Sequence, residues 1–246
     1  MKYLVLCIHY LQLLPAIALN KQACRRVFTH IIGNATAHLS TYKKMTMNYL
    51  AHAYLSFNHP EILVGNMISD YVKGKAQYDY PAGIHTGIRL HRDIDTFTDN
   101  HDATRQAKEF FRKDYRLYAG AFVDVIYDHY LATDKTIFST TSHLQQTADF
   151  TYSTLQTYKN WLPDRFSPML PYMQSQNWLY NYQFAWGIER SLAGVVRRSK
   201  YLQESEKAFA SFQEHYETLR TCYDAFFPEI MAMVKTQLND KGFDVL

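Results

Sequence analysis

Gly87-Ile88-Arg89-Leu90-His91-Arg92-Asp93-Ile94-Asp95-Thr96-Phe97-Thr98-Asp99-Asn100-His101-Asp102 carries four acids, two imidazoles and two guanidiniums in sixteen residues. Ile88, Leu90, Ile94 and Phe97 are interleaved with those charges, which a purely solvated face rarely shows. Read as a helix, the stretch puts His91 and Asp95 one turn apart on one face. That spacing suits two ligands of one metal ion; a salt-bridged helix edge is the plain alternative. The helix is expected from Pro81 to Phe97, after a loop over 76–82. His85, six residues before His91, falls off the stripe. Arg89 and Arg92, three apart, can grip an anion or pair with Asp93 and Asp95.

Upstream, residues 48–57 read as a first helix, with Tyr49, His52 and Ser56 on one stripe. Asn58-His59-Pro60-Glu61 restarts the helix, with Pro60 at its first position and Asn58 or His59 as cap. In the run from Ile62 to Asp70, Gly65 suggests close packing. Asp70 ends that apolar run, where an acid needs a partner or a cation.

Downstream, a helix is expected from Asn100–Asp102 through Arg112, capped by Asp99, Asn100 or Asp102. Residues 117–131 then read as a buried helix with Asp124 and Asp128 one turn apart. Acids in such surroundings are costly unless paired or metal-bound. His129 points away from Asp128, so at most one of them faces an ion directly, the other standing behind it. Residues 133–141 read as a loop and 142–160 as a helix. Another spans roughly 167–174, and the aromatics from Trp178 to Trp186 read as packing. Arg190, Arg197, Arg198 and Lys200 form a local basic patch that suits a phosphate or an acidic partner. Residues 203–239 read as one or two long helices, with Pro228 starting a further turn.

The 246 residues suffice for one sizeable core, and an apolar content of 47% excludes a disordered chain. Few Gly and Pro favour helices. Cys7, Cys24 and Cys222 make no disulfide framework, and free thiols suit a reducing compartment, so a cytoplasmic location is expected. The net charge of +3 is unevenly spread. Residues 1–46 hold six Lys/Arg and no acid, which leaves 20 basic against 23 acidic residues in 47–246. An acidic body weakens a nucleic-acid reading. Residues 1–46 are read as a leader or an upstream-extended start outside the fold, and 47–246 as a single helical domain. No stable membrane association is expected.

Histidine and carboxylate ligands together suit a hard or borderline divalent ion rather than a thiolate site. Such an ion beside arginines fits phosphoester hydrolysis: it lowers the pKa of its water and takes up charge on the phosphoryl oxygens. Arginines hold the remaining oxygens in bidentate fashion. No Gly-x-Ser-x-Gly, phosphate-loop or Gly-x-Gly-x-x-Gly motif is present.

Met47-Asn48-Tyr49-Leu50-Ala51-His52-Ala53-Tyr54-Leu55 and Gly65-Asn66-Met67-Ile68-Ser69-Asp70-Tyr71-Val72-Lys73-Gly74 resemble the opening of the acyl carrier protein phosphodiesterases. The resemblance continues over 87–99, over Asp124-Val125-Ile126-Tyr127-Asp128-His129-Tyr130-Leu131 and over Gly187-Ile188-Glu189-Arg190-Ser191-Leu192. It covers about residues 47–240. The chain departs from the family at Asp128-His129, which reverses the usual His-Asp order, and at Asp93, where Arg is common. The resemblance implies an all-α bundle like that of the His-Asp metal-dependent phosphohydrolases. It implies hydrolysis of holo acyl carrier protein to the apo protein and 4′-phosphopantetheine, a step belonging with fatty acid biosynthesis. Mn2+ is the ion implied, with Mg2+ or Fe2+ as alternatives. His52, Asp70, His91 and Asp128 are expected to hold it. Asp95, His129 and Arg92 are expected at the chemistry, and Arg89, Arg92, Arg190, Arg197 and Arg198 on the substrate. A phosphohydrolase of nucleotides or other small phosphoesters, and a non-enzymatic helical binding module, are the competing readings.

Overall fold

Residues 49–245 are described here from a computed structural model, and they fall within one unit, Met45–Leu246. The expectation that residues 1–46 are a leader lies outside the described residues. Helical periodicity is realised throughout. In chain order the helices are α1 (Tyr49–Tyr54), α2 (Pro60–Ile68), α3 (Ala82–Asn100), α4 (Asp102–Tyr115), α5 (Ala119–Thr133) and α6 (Thr141–Thr157). They continue as α7 (Leu170–Ser175), α8 (Trp178–Asn181), α9 (Ala185–Arg198), α10 (Glu206–Glu214) and α11 (Tyr216–Asp240). The described residues contain no strand, so the fold is the all-α bundle expected.

The apolar run from Ala119 onward becomes the central helix. Phe122, Val123, Val125, Ile126, Tyr130 and Leu131 of α5 are all fully buried, as expected of a helix that is hydrophobic on every side. The more amphipathic helices pack around it, α4 giving Phe111 and Ala107 to the core and α11 giving Leu219, Ile230 and Val234.

Two glycines set the contact that matters most for the site. A Cβ on Gly65 of α2 would lie 2.0 Å from the Ile84 carbonyl oxygen, and one on Gly87 of α3 would lie 2.2 Å from the Ile62 carbonyl oxygen. Backbone meets backbone there, so α2 and α3 cross in direct contact. Close packing at Gly65 was legible in the sequence; its partner Gly87 was not.

Several local expectations are corrected. α3 runs on to Asn100, which leaves His101 as the extended residue before α4. Its Nδ1 accepts the Ala103 N–H at 3.2 Å and caps the helix in place of Asp99, Asn100 or Asp102. His59 precedes α2 with no side-chain cap. The expected loop over 76–82 is overlapped by a 3-10 turn, Gly74–Asp79. Pro228 starts no new turn but lies inside α11. It faces solvent, and Phe226, Phe227 and Ile230 on the buried side hold the helix together across the missing N–H.

Candidate metal centre

α1 supplies His52, the start of a 3-10 turn after α2 supplies Asp70, and α3 supplies His91 and Asp95. The α2–α3 crossing at Gly65 and Gly87 brings Asn66 against both histidines. The Asn66 amide nitrogen donates to the His52 carbonyl at 2.8 Å and to Ser56 Oγ at 3.1 Å. Its Oδ1 is therefore the acceptor that meets His52 Nδ1 at 2.7 Å. The Asn66 backbone carbonyl meets His91 Nδ1, also at 2.7 Å. Both Nδ1 atoms thus carry the proton, and both Nε2 atoms present a lone pair.

The two rings stack, with centroids 3.9 Å apart and planes 14° from parallel. Their Nε2 atoms are buried and have no hydrogen-bond partner. Both face Asp95: His52 Nε2 lies 3.6 Å from its Oδ1 and His91 Nε2 lies 3.6 Å from its Oδ2. One atom from each of the three residues falls within 4.8 Å of the others. Asp70 Oδ1 stands 3.7 Å from His91 Nε2 on the more open side, its side chain 27% exposed against 6% for His91.

Two imidazole lone pairs and a carboxylate converging in a buried space repel one another unless a cation sits between them. The donor set, two nitrogens and carboxylate oxygen with no thiolate, fits a borderline or hard divalent ion. The electrostatics agree. Burial pushes His52 below the ordinary histidine value, His91 adds to that, and the pull of Asp95 is weaker. Burial pushes His91 the same way, but Asp70 and Asp95 together outweigh it and hold His91 above the ordinary value. The field that favours a proton on His91 favours a metal cation as well. The residues His52, His91 and Asp95 have the capacity to bind a divalent metal ion.

Asp128 and His129 are placed otherwise than the sequence suggested. The Asp128 oxygens accept the backbone N–H groups of Leu50 at 3.0 Å and Ala51 at 2.8 Å, in the first turn of α1. The Tyr182 phenol donates to the same carboxylate. Asp128 thus caps α1 from a distance, its carboxyl oxygens set on the N–H groups at the positive end of the helix. Burial pushes its carboxyl well up, and the two N–H groups pull against that. His129 is also committed: Nδ1 donates to the Tyr182 carbonyl at 2.8 Å, so Nε2 accepts the Tyr216 hydroxyl at 2.9 Å. Both ring nitrogens of His129 are thus engaged within the bundle.

Arg92 fastens the segment after Asp70, donating to the Val72 carbonyl at 3.2 Å and to Gln77 Oε1 at 2.9 Å. Arg89, one turn earlier on α3, is exposed. Arg190, Arg197 and Arg198 line one cavity on α9, and the Arg198 charge lies near the phenols of Tyr182, Tyr49 and Tyr71. Asn66, which orients both histidines, went unnoticed in the sequence reading. Its signal was a lone amide in the apolar run Ile62–Ile68.

An all-α bundle with a buried His-His-Asp cluster and a carboxylate at its rim fits one class, the metal-dependent phosphohydrolases that act on a phosphoester. The sequence comparisons narrow it. A family model described as acyl carrier protein phosphodiesterase matches residues 47–230. The acyl carrier protein phosphodiesterase of Klebsiella pneumoniae is 32% identical over 191 residues, which is 78% of this chain and 99% of the relative. That of Escherichia coli O139:H28 is 32% identical over 186 residues, 76% of this chain and 96% of the relative. No solved structure matches. The chain belongs to the acyl carrier protein phosphodiesterase family. Among the described residues, no helix is long and apolar enough to cross a membrane.

Proposed function

We propose that this protein hydrolyses the phosphodiester that joins 4′-phosphopantetheine to a serine of holo acyl carrier protein, with Mn2+ as the activating ion. The observation that carries the reading is the convergence of His52 Nε2, His91 Nε2 and Asp95 in a family whose named relatives are carrier-protein phosphodiesterases. His52, His91 and Asp95 would hold the ion, with Asp70 reaching it from the rim. When bound, a divalent ion activates water and offsets charge on the phosphoryl oxygens.

The chain's own residues do the rest. Asn66 fixes both imidazoles with their lone pairs inward, so the ligands need no reorganisation. Asp95 orients the attacking water. Asp70, nearer to solvent, receives its proton; the bond from phosphorus to the carrier serine oxygen breaks, and that oxygen leaves as the serine hydroxyl on taking up a proton. Arg89 and Arg92, one turn apart on α3 beside His91, hold the non-bridging oxygens as charge grows on them. The exposed ends of Arg190, Arg197 and Arg198 receive the carrier's acidic surface. Residues 47–246 form the catalytic domain and fold without 1–46. A chain beginning at Met47 that keeps helicity and metal affinity supports this boundary; one that is unfolded refutes it.

The test is incubation of purified protein with holo acyl carrier protein and Mn2+, followed by mass spectrometry of both products. Apo carrier and free 4′-phosphopantetheine are expected. Their absence, with release of phosphate from a nucleotide instead, would transfer the site to the small-phosphoester reading.

A further inference from the structure

Beyond the metal centre, the face of α9 encloses a cavity of about 320 Å³. Its described lining includes Arg190, Arg197 and Arg198 and no acidic residue. None of these arginines forms an ion pair with a described acid. Three guanidiniums facing one space without a counter-charge are poised for a polyanion. Arginines in the last turn of a helix often serve only its dipole. That account fails for Arg190, which stands in the middle of α9 with its guanidinium 5.0 Å over the Trp186 ring.

The walls add a second kind of recognition. Trp178 and Trp186 line the cavity, and Trp186 is 45% exposed. Phe184 stacks on Trp186 at 5.6 Å and 10°, and is itself 37% exposed. With Arg190 over its ring and Phe184 stacked on it, Trp186 offers its remaining exposed surface, which together with Trp178 gives the cavity an aromatic wall for an apolar group. Gln176, Asn181 and Ser191 supply polar groups around it. The volume lies at the small end of the range of ligand pockets, about 300 to 1,000 Å³. An acidic protein surface engages exposed side-chain ends; a recess with aromatic walls fits a small molecule.

We propose that this cavity is a binding site for an organic phosphate monoester, its phosphate held by Arg190 and Arg197 and its tail laid against Trp178 and Trp186. The proposal shares Arg190 and Arg197 with the carrier-docking reading, and its test needs no turnover.

Calorimetric titration of the full-length protein, in chelator to keep ions from the metal centre, tests it. The probes are 4′-phosphopantetheine, adenosine monophosphate and inorganic phosphate. Saturable one-to-one binding is expected, with at least one organic phosphate about tenfold or more tighter than inorganic phosphate. The order of the two organic probes tells whether the tail is a pantetheine arm or a nucleoside, and either order supports the site. The Arg190→Gln, Arg197→Gln double variant, checked for unchanged helicity, should weaken binding at least about tenfold. Arg190→Lys, which keeps the charge and loses the planar fork, should fall between. His91→Asn at the metal centre should leave affinity within about twofold. No saturation, an unaltered affinity in the double variant, or loss of binding with His91→Asn would each overturn the proposal.

Discussion

The rings of His52 and His91 lie 3.9 Å apart and nearly parallel, each with its Nδ1 tied to Asn66 and its Nε2 turned to Asp95. A pair of imidazoles so placed would repel if both were protonated. With the lone pairs inward they form two sides of a coordination site, and Asn66 makes that tautomer the preferred one.

Asn66→Ala removes the amide that holds His52 and leaves its Nδ1 without a partner. Metal affinity, read by calorimetric titration with Mn2+, is expected to fall about 10- to 100-fold, the usual effect of losing a group that orients a ligand. The backbone carbonyl on His91 survives the substitution, so affinity should be reduced and not abolished. An unchanged affinity would show that Asn66 does not orient the ligands.

Asp95→Asn and Asp128→Asn separate ligand from cap. Asp95→Asn is expected to remove stoichiometric Mn2+ binding with little change in helicity. Asp128→Asn is expected to keep the metal and lose about 1 to 3 kcal/mol of stability, because one of its two acceptor oxygens becomes an amide NH2 that faces a buried helix N–H and cannot accept from it. Equal loss of metal in both variants would return Asp128 to the ligand set.

Gly65→Ala should be severe. The added methyl would sit 2.0 Å from a carbonyl oxygen of α3, and backbone atoms cannot swing aside as a side-chain tip can. A loss of about 3 kcal/mol or more is expected in denaturant unfolding. In any folded fraction Mn2+ affinity should fall too, since Asn66 follows directly. A variant as stable as the parent would disprove the close crossing.

His129 gives a pH signature. Burial is the main reason its pKa lies below the ordinary value, the Tyr182 carbonyl pulling weakly the other way. The folded state therefore holds His129 neutral at a pH where the unfolded chain protonates it. The unfolded state binds more protons, so stability falls as pH drops through the ordinary histidine value of about 6.5 and levels off below the lowered folded value. Against His129→Gln, which lacks the titration, the parent should lose more stability between about pH 7 and pH 5. Parallel curves in chemical denaturation would contradict the assignment.

What the sequence determined by itself was local. The spacing of His91 and Asp95 put them one turn apart on α3, because helix geometry alone fixes that relation. The largely apolar run of α5 announced a buried helix, and Gly65 in a helical run announced a close approach. Motifs spread along the chain, His52, Asp70 and the 87–99 stretch among them, resembled one family, and the family match over residues 47–230 followed. Tertiary structure decided which distant groups meet. Asp128 and Asp95 both lie in apolar helical text; helix spacing pairs Asp95 with His91, but nothing along the chain says that His52 joins them or where Asp128 turns. Packing of α1 against α5 gives Asp128 to the N–H groups of Leu50 and Ala51, while the α2–α3 crossing gives Asp95 to His52 and His91. His129 likewise loses both nitrogens to Tyr182 and Tyr216, which lie 53 and 87 residues further along. The physical reason is the same in each case. A buried polar atom takes its partner from whatever helix the core lays against it, and that choice is made by the shape of the whole bundle.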